Sequence, residues 1–172
     1  IGDIGSGLYA TIGVQAALFH RQLTGEATKV DIGMLDCQLA LLENAVMRYQ
    51  VSGTAPGPLG ARHPSITPFE AYKTKDGYII ISAGNDGLFA KLAEALENPG
   101  WAEDPDYSSN DNRNKHVQKL KIEMESVLTT HTTSHWIEVL DKFGVPSGPI
   151  NDIGQAATCL LYTSDAADEQ LS

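Results

Sequence analysis

Basic residues are scarce in this sequence: 12 Lys and Arg face 22 Asp and Glu, a formal net charge of −10. No basic stripe gathers the cations that phosphate binding needs, which argues against nucleic acid as a partner. Cysteine is scarce as well. Cys37 lies in a helical pattern and Cys159 near the end, without the paired spacing of a disulfide framework, so a reducing, cytoplasmic location is expected. Long apolar runs are missing: the longest stretch, Leu8 to Phe19, is too short to span a bilayer and runs into His20 and Arg21, so no membrane anchor is expected. A metal-ligand cluster is missing too. His131 and His135 are four residues apart, but no Glu completes an HExxH pattern and no third ligand is evident, so no metal is expected. No internal repeat, low-complexity tract or disordered-tail composition interrupts the chain.

What remains is enough for a folded core. The chain has 172 residues, 42% of them hydrophobic, and at that length roughly 70% of the unfolded surface can be removed from water. The two ends are unusual. The sequence starts at Ile1 with no Met or signal-like n-region and carries its first motif at Asp3, so further protein is expected upstream. From Cys159 the run CLLYTSDAADE resembles the translation of a transposon adapter used in DNA-library preparation, and residues 158–172 are expected to be a non-native tail. Without Asp165, Asp168 and Glu169 the acids still outnumber the bases.

From Gly7 to Leu23, Leu8, Ile12, Ala16 and Phe19 recur at helical spacing and Gly25 is a natural C-terminal stop. This helix is nearly apolar on all sides, as expected of one inside a larger layered domain. Lys29 to Ile32 alternates like a short strand. Leu35, Leu39, Leu42 and Val46 then mark a second amphipathic helix to about Gln50. Alternating strand and helix suggest the tail of a parallel α/β domain. Four prolines and three glycines between Ser52 and Pro68 read as a linker. Phe69 to Tyr72 and Tyr78 to Ser82 flank an Asp76-Gly77 pair, the signature of a hairpin with positive φ in its turn. Helical patterns follow at Gly87 to Leu96, Asn112 to Leu128 and Ser134 to Phe143, and Gly144 to Ile150 closes an α+β unit as an extended segment.

Asp3 in IGDIGSG is the strongest local candidate for chemistry. It can cap the helix that follows, as can Ser6, by accepting first-turn N–H groups. Alternatively, the glycines let a substrate approach and the helix N-terminus stabilises negative charge on the carboxylate or a nearby oxyanion. Gly84-Asn85-Asp86-Gly87 is the second candidate; by its residues alone it reads as a strand-to-helix turn with Asp86 as N-cap. Arg62-His63-Pro64 fits placement of the linker. The Thr132-Thr133-Ser134 run fits a helix start. Trp101, Tyr107 and Trp136 fit core or interface aromatics, since no basic groove accompanies them.

The blocks GDIGSGLYATIGVQAALFHRQLTGEATKVDIGMLDCQLALL, GARHPSITPFEAYKTKDGYIIISAGND and, from Trp136, the run through GVPSGPIND together resemble the family III CoA-transferases, which include formyl-CoA transferase and carnitine CoA-transferase. The resemblance covers residues 1–157. It implies an α/β fold: the end of a Rossmann-like, CoA-binding large domain over residues 1–51, a Pro/Gly-rich linker over 52–68 and a small α+β domain over 69–157.

It also implies that Asp3 is the covalent nucleophile, with Ser6 capping as a compatible second role, and that Gly84 and Gly87 belong to a glycine-containing loop over the acyl site. This loop departs from the fully glycine-rich version in formyl-CoA transferase. The implied activity moves CoA between carboxylic acids through an aspartyl-CoA thioester. The implied partners are an acyl-CoA and a small carboxylic acid, with CoA as part of the substrate and no separate cofactor. An intertwined homodimer is implied for the full-length protein, and the fragment alone is expected to be inactive. An acyl-CoA racemase of the same fold and a non-catalytic interaction module stand as alternatives.

Overall fold

The computed structural model describes residues 1–159 and divides the chain into two units, Ile1–Pro58 and Leu59–Ser172. The expected non-native tail, apart from Thr158 and Cys159, lies outside the described residues.

The first unit is helical. Helix α1 (Gly2–Thr24) stops where Gly25 takes the left-handed conformation, φ 78°, and returns its N–H to Arg21 O at 2.8 Å. The helix begins five residues before the apolar periodicity signals it, which places Asp3 in its first turn. Helices α2 (Met34–Leu41) and α3 (Glu43–Ser52) follow. The single helix expected from Leu35 to about Gln50 is thus broken. Leu42 leaves helical geometry at φ −100°, ψ 27°, with its N–H on Leu39 O. The i, i+4, i+7 spacing continues across this break, so periodicity could not reveal it.

The strand expected at Lys29–Ile32 does not form. A strand needs a partner for its ladder, and every strand found among the described residues belongs to the second unit. Residues 26–33 instead run beside α1, where a Cβ added at Gly13 would come within 2.7 Å of Val30 Cγ1. Gly5 similarly admits α2, since a Cβ there would lie 2.8 Å from Leu41 Cδ1. Only Gly5 and Ser6 of α1 are buried. Its apolar side chains stay open, among them Ile4 at 73%, Ile12 at 61% and Phe19 at 65% exposure.

The second unit closes a core of its own. Strands β1 (Phe69–Lys73), β2 (Tyr78–Ser82) and β3 (Ser147–Pro149) form an antiparallel sheet in the order β1-β2-β3, with Ala71 opposite Ile80 and Ile80 opposite Gly148. Tyr72, Ile79 and Ile81 are buried on one face. Helices α4 (Asp86–Ala95), α5 (Asn110–Lys115), α6 (Val117–Leu128) and α7 (Thr133–Lys142) lie between β2 and β3 in the chain, and α8 (Ile153–Thr158) follows. Phe89, Leu92 and Leu96, Leu120, Met124 and Leu128, and Trp136 and Leu140 complete the core. Trp136 also donates its indole N–H to Leu128 O at 2.7 Å. Buried Glu70 pairs with Lys121 of α6, which also donates to Ala71 O at 3.2 Å. No helix among the described residues is long and apolar enough to cross a membrane.

Two details depart from expectation. The helix expected from Asn112 to Leu128 is split at His116, φ −107° and ψ 22°, whose Nδ1 lies 3.2 Å from Asp106 O and 3.1 Å from Asn112 O. The hairpin forms as expected, but Gly77 does not take positive φ. The loop is closed instead by Thr74 N–H on Gly77 O at 3.0 Å.

Asp76 has a different duty: its Oδ1 accepts from Thr133 N–H at 2.8 Å, Thr133 Oγ1 at 3.0 Å and Thr74 Oγ1 at 3.3 Å. The hairpin turn therefore ties down the start of α7, whose own N-cap is Thr132.

Hydrogen bonds from Thr133, backbone first and side chain second, hold the Asp76 carboxyl below its usual range. A lowered folded pKa contributes stability above the unfolded value, and that contribution is lost as pH falls through the folded value. Asp76→Ala is therefore expected to lower Tm by a few degrees at neutral pH, with the gap to the parent closing below about pH 4. Thermal melts across that range check it; a gap independent of pH would contradict the assignment.

The C-terminus of α4 yields a second expectation. Glu97 takes φ 58° while Asn98 N–H reaches back to Ala93 O at 2.8 Å, the geometry in which glycine is favoured. Glu97→Gly is expected to raise unfolding stability by about 1 kcal/mol, measured by urea denaturation.

Candidate active site

Asp3 occupies the first turn of α1, where the aligned amides favour a negative charge. It is exposed. Its carboxylate makes no hydrogen bond or ion pair among the described residues. Neither expected cap is present: the N-cap position of α1 is Ile1, and no side chain caps the helix. Because the helix starts so early, Ser6 falls inside it, and its hydroxyl donates to Gly2 O at 2.8 Å. Gln38 of α2 adds a second bond to that carbonyl at 3.2 Å. Beside this turn runs an apolar cavity of about 350 Å³ lined by Ile1, Ile4, Leu8, Tyr9 and Leu41 among others, with Asp3 outside its lining. The carboxylate is thus uncommitted, held on a rigid element and flanked by apolar side chains.

The Gly84–Gly87 segment is built differently. Upstream, Ala83 N–H bonds Pro68 O at 2.9 Å. Gly84 then passes so close to Ile66 that an added Cβ would sit 2.1 Å from Ile66 Cγ2. The cap of α4 is Asn85, whose Oδ1 accepts from Leu88 N–H at 2.8 Å. Asp86, expected as N-cap, lies one residue inside the helix and takes an ion pair with Arg113 at 2.8 Å instead. Gly87 is exposed, and a Cβ there would meet only Asn85 Oδ1 at 3.5 Å. Of the two expected site glycines, Gly84 is a packing position and Gly87 an open one.

Arg113 was not legible as part of this site. Its side chain is 0% exposed and donates from Nε to Thr67 O at 2.7 Å, from Nη1 to Tyr107 O at 2.8 Å and from Nη2 to Asp86. The Phe89 ring lies 4.5 Å from the guanidinium carbon. Asn110 and Asn114 flank it on α5: Asn110 Oδ1 accepts from Thr67 N–H, Asn114 Oδ1 accepts from Thr67 Oγ1, and both side-chain amides donate to Ser65 O. Burial, reinforced by the Glu123 carboxylate, pushes the phenol of Tyr107 up to about 12. The only signal in the sequence was an arginine set in an asparagine-rich run, with two of its three partners, Thr67 and Asp86, more than 20 residues away.

His63 of the Arg-His-Pro stretch stacks on Phe69 at 5.3 Å and accepts Ser65 N–H on Nδ1 at 3.2 Å, anchoring the entry to β1. His131 and His135 stack with centroids 4.2 Å apart and planes 20° apart. An imidazole binds metal in its ring plane, and two nearly parallel planes offer no shared point close by. No group of three or more His, Cys, Asp or Glu is placed to hold a metal among the described residues. Tyr107 and Trp136 are buried in the core and Trp101 packs against it.

The family model of CoA-transferase family III matches residues 1–163. The chain belongs to this family. It is 35% identical over 157 residues to the acetyl-CoA:oxalate CoA-transferase of Acetobacter aceti, covering 91% of this chain and 40% of that protein. It is 37% identical over 158 residues to the succinate–glutarate CoA-transferase of Agrobacterium fabrum, covering 89% of this chain and 38% of that one.

Among solved structures, a CaiB/BaiF family protein from Brucella suis superposes with a TM-score of 0.82 at 34% identity, over 94% of this chain and 43% of the other. The mixed helix-and-strand fold is thus similar to that of a CaiB/BaiF protein, and this family III chain spans about 40% of the length of the relatives it matches.

The contact at Gly84 gives a direct test. Gly84→Ala is expected to cost about 1–3 kcal/mol, as overpacking does, and Ile66→Ala in the same chain is expected to recover most of it. Gly87→Ala, with only ordinary contact, is expected to stay within about 0.5 kcal/mol of the parent. A double-mutant cycle by urea denaturation measures the coupling; additive effects of the 84 and 66 substitutions would contradict the packing role.

Proposed function

We propose that the intact protein is an acyl-CoA:carboxylate CoA-transferase in which Asp3 is the nucleophile. The observation that carries this reading is a first-turn carboxylate with no partner of its own among the described residues, in a chain of CoA-transferase family III. In the reaction, the Asp3 carboxylate attacks the donor thioester carbonyl, forming a mixed anhydride and releasing CoA thiolate. The thiolate attacks the aspartyl carbonyl, giving an aspartyl-CoA thioester and the free donor acid. An acceptor carboxylate repeats these steps in reverse and leaves as its CoA thioester. Both intermediates are reactive acyl species of similar kind, so neither is a deep trap. CoA enters as part of the substrate, and no separate cofactor is invoked.

The relatives named for oxalate and glutarate support a small carboxylic acid as acceptor. In this reading residues 1–51 are the end of a Rossmann-like CoA-binding domain, residues 52–68 are a linker and residues 69–157 are the small domain. Gly84 and Gly87 belong to the segment that covers the acyl group, and the working enzyme is an intertwined homodimer in the cytoplasm. The apolar surface of α1 supports that placement, because side chains such as Ile4 and Phe19 need a covering layer.

The test uses the full-length enzyme with an acyl-CoA donor and a free acid acceptor. Asp3→Ala is expected to lower kcat at least about a thousandfold, and protein quenched during turnover is expected to carry the mass of CoA on the peptide containing Asp3. Transfer undiminished in Asp3→Ala would remove the nucleophile. Exchange of the substrate α-hydrogen in deuterated water without any acceptor acid would point to racemisation instead.

A further inference from the structure

We propose that Arg113 is a positioning residue: through Asp86 it holds the Gly84–Gly87 segment as a preformed turn and so sets the affinity of the enzyme for acyl-CoA. This rests on the reading of that segment as part of the acyl site.

The geometry around Arg113 is asymmetric. Its guanidinium is fully buried, while its one carboxylate partner, Asp86, has a side chain 65% exposed. The other two bonds go to backbone carbonyls of Thr67 and Tyr107, which carry no compensating net charge. An arrangement that buries a cation against one partner at the surface is a weak source of stability. It is a good source of geometry: a planar fork with donors committed in three directions leaves the Asp86 carboxylate one place to sit.

The other end of the segment is fixed by shape. Gly84 abuts Ile66, and Ile66 lies between Ser65 and Thr67, which α5 holds through Asn110 and Asn114. One short helix, α5, therefore fixes both edges of the turn: Gly84 through the 65–67 stretch and Asp86 through Arg113. Asn85 between them is committed to capping α4. Gly87 is left exposed and open on the far side. A segment held in this way binds without the cost of ordering a loose loop, so loosening it falls on substrate binding more than on the chemical step.

The experiment uses the full-length enzyme with Asp86→Ala and Asp86→Asn. Asp86 is mostly exposed, so the second variant keeps an acceptor of the same shape and is expected to fold even if the first does not. Hydrogen exchange at the amides of Leu88 and Phe89, which bond Asn85 Oδ1 and Asn85 O, is expected to quicken about tenfold in Asp86→Ala with the global unfolding midpoint little changed. KM for acyl-CoA is expected to rise about fivefold or more while kcat stays within about twofold. Asp86→Asn is expected to recover part of both effects. Unchanged exchange and KM in both variants, or a fall in stability with KM unmoved, would overturn the positioning role. Asp3→Ala serves as the control: activity that survives it refutes the nucleophile, whereas an inactive Asp3→Ala beside unaltered Asp86 variants refutes the role of Arg113 alone.

Discussion

The second unit depends on one buried guanidinium. Helix α5 is six residues long, NDNRNK, with no apolar side chain, and a helix of that length has no stability by itself. It exists because Asn110, Arg113 and Asn114, spaced i, i+3 and i+4, share one face, and that face is hydrogen-bonded to residues 65–67. Arg113 extends the same network to Tyr107 and to the first residue of α4. Loss of the Arg113 side chain would leave the carbonyls of Thr67 and Tyr107 without this donor, a cost of a few kcal/mol, whereas the mostly exposed Asp86 can be replaced by water. The apolar core of sheet and helices supplies bulk burial; this polar node supplies the relation between the strand entry, the glycine turn and the helices.

A similar division operates at the opposite end of the hairpin. Asp76 sits in the turn that joins β1 and β2, yet its carboxylate serves the first residue of α7. Lys75 N–H bonds His131 O at 3.0 Å in the same region. Polar groups in loops thus do the joining that apolar contacts leave undetermined. Apolar contacts are non-directional and tolerate sliding, whereas a carboxylate accepting from one N–H and two hydroxyls does not.

These differences explain what the sequence disclosed. Elements with a clean local pattern were legible: the hairpin pair Phe69–Tyr72 and Tyr78–Ser82, the helices around Leu88–Leu96 and Trp136–Leu140, and the stop at Gly25. Features set by distant partners were not. The break at Leu42 leaves the apolar spacing intact, and the break at His116 is tied to the carbonyl of Asp106. Asn85 caps α4 in place of Asp86 because Asp86 is drawn to Arg113, 27 residues on. The strand at Lys29–Ile32 fails for the same reason in reverse: alternation is a local property, but a ladder needs a neighbour. Of the proposed site, Asp3, Gly84 and Gly87 could be named from the resemblance. That Gly84 packs against Ile66, and that Arg113 bonds Asp86, could be seen only in three dimensions.

The two units also differ in how far they satisfy themselves, and that difference bears on the proposed chemistry. The second unit buries Tyr72, Phe89, Leu120 and Leu140 almost completely, whereas α1 buries only a glycine and a serine. An anhydride or aspartyl thioester lasts only where water is kept away, and Asp3 is exposed. Ile4, Leu8 and Ile12, at i, i+4 and i+8 along α1, form an apolar stripe that starts beside Asp3 and remains open. The proposed reaction therefore makes one demand of whatever covers this stripe in the working enzyme. The layer that removes those side chains from water, contributing roughly 25 cal/mol for each Å² of apolar surface it hides, must also dry the carboxylate beside them. Folding of the layer and protection of the intermediate are then the same event, so a working Asp3 needs α1 in its assembled surroundings and not merely the helix that carries it.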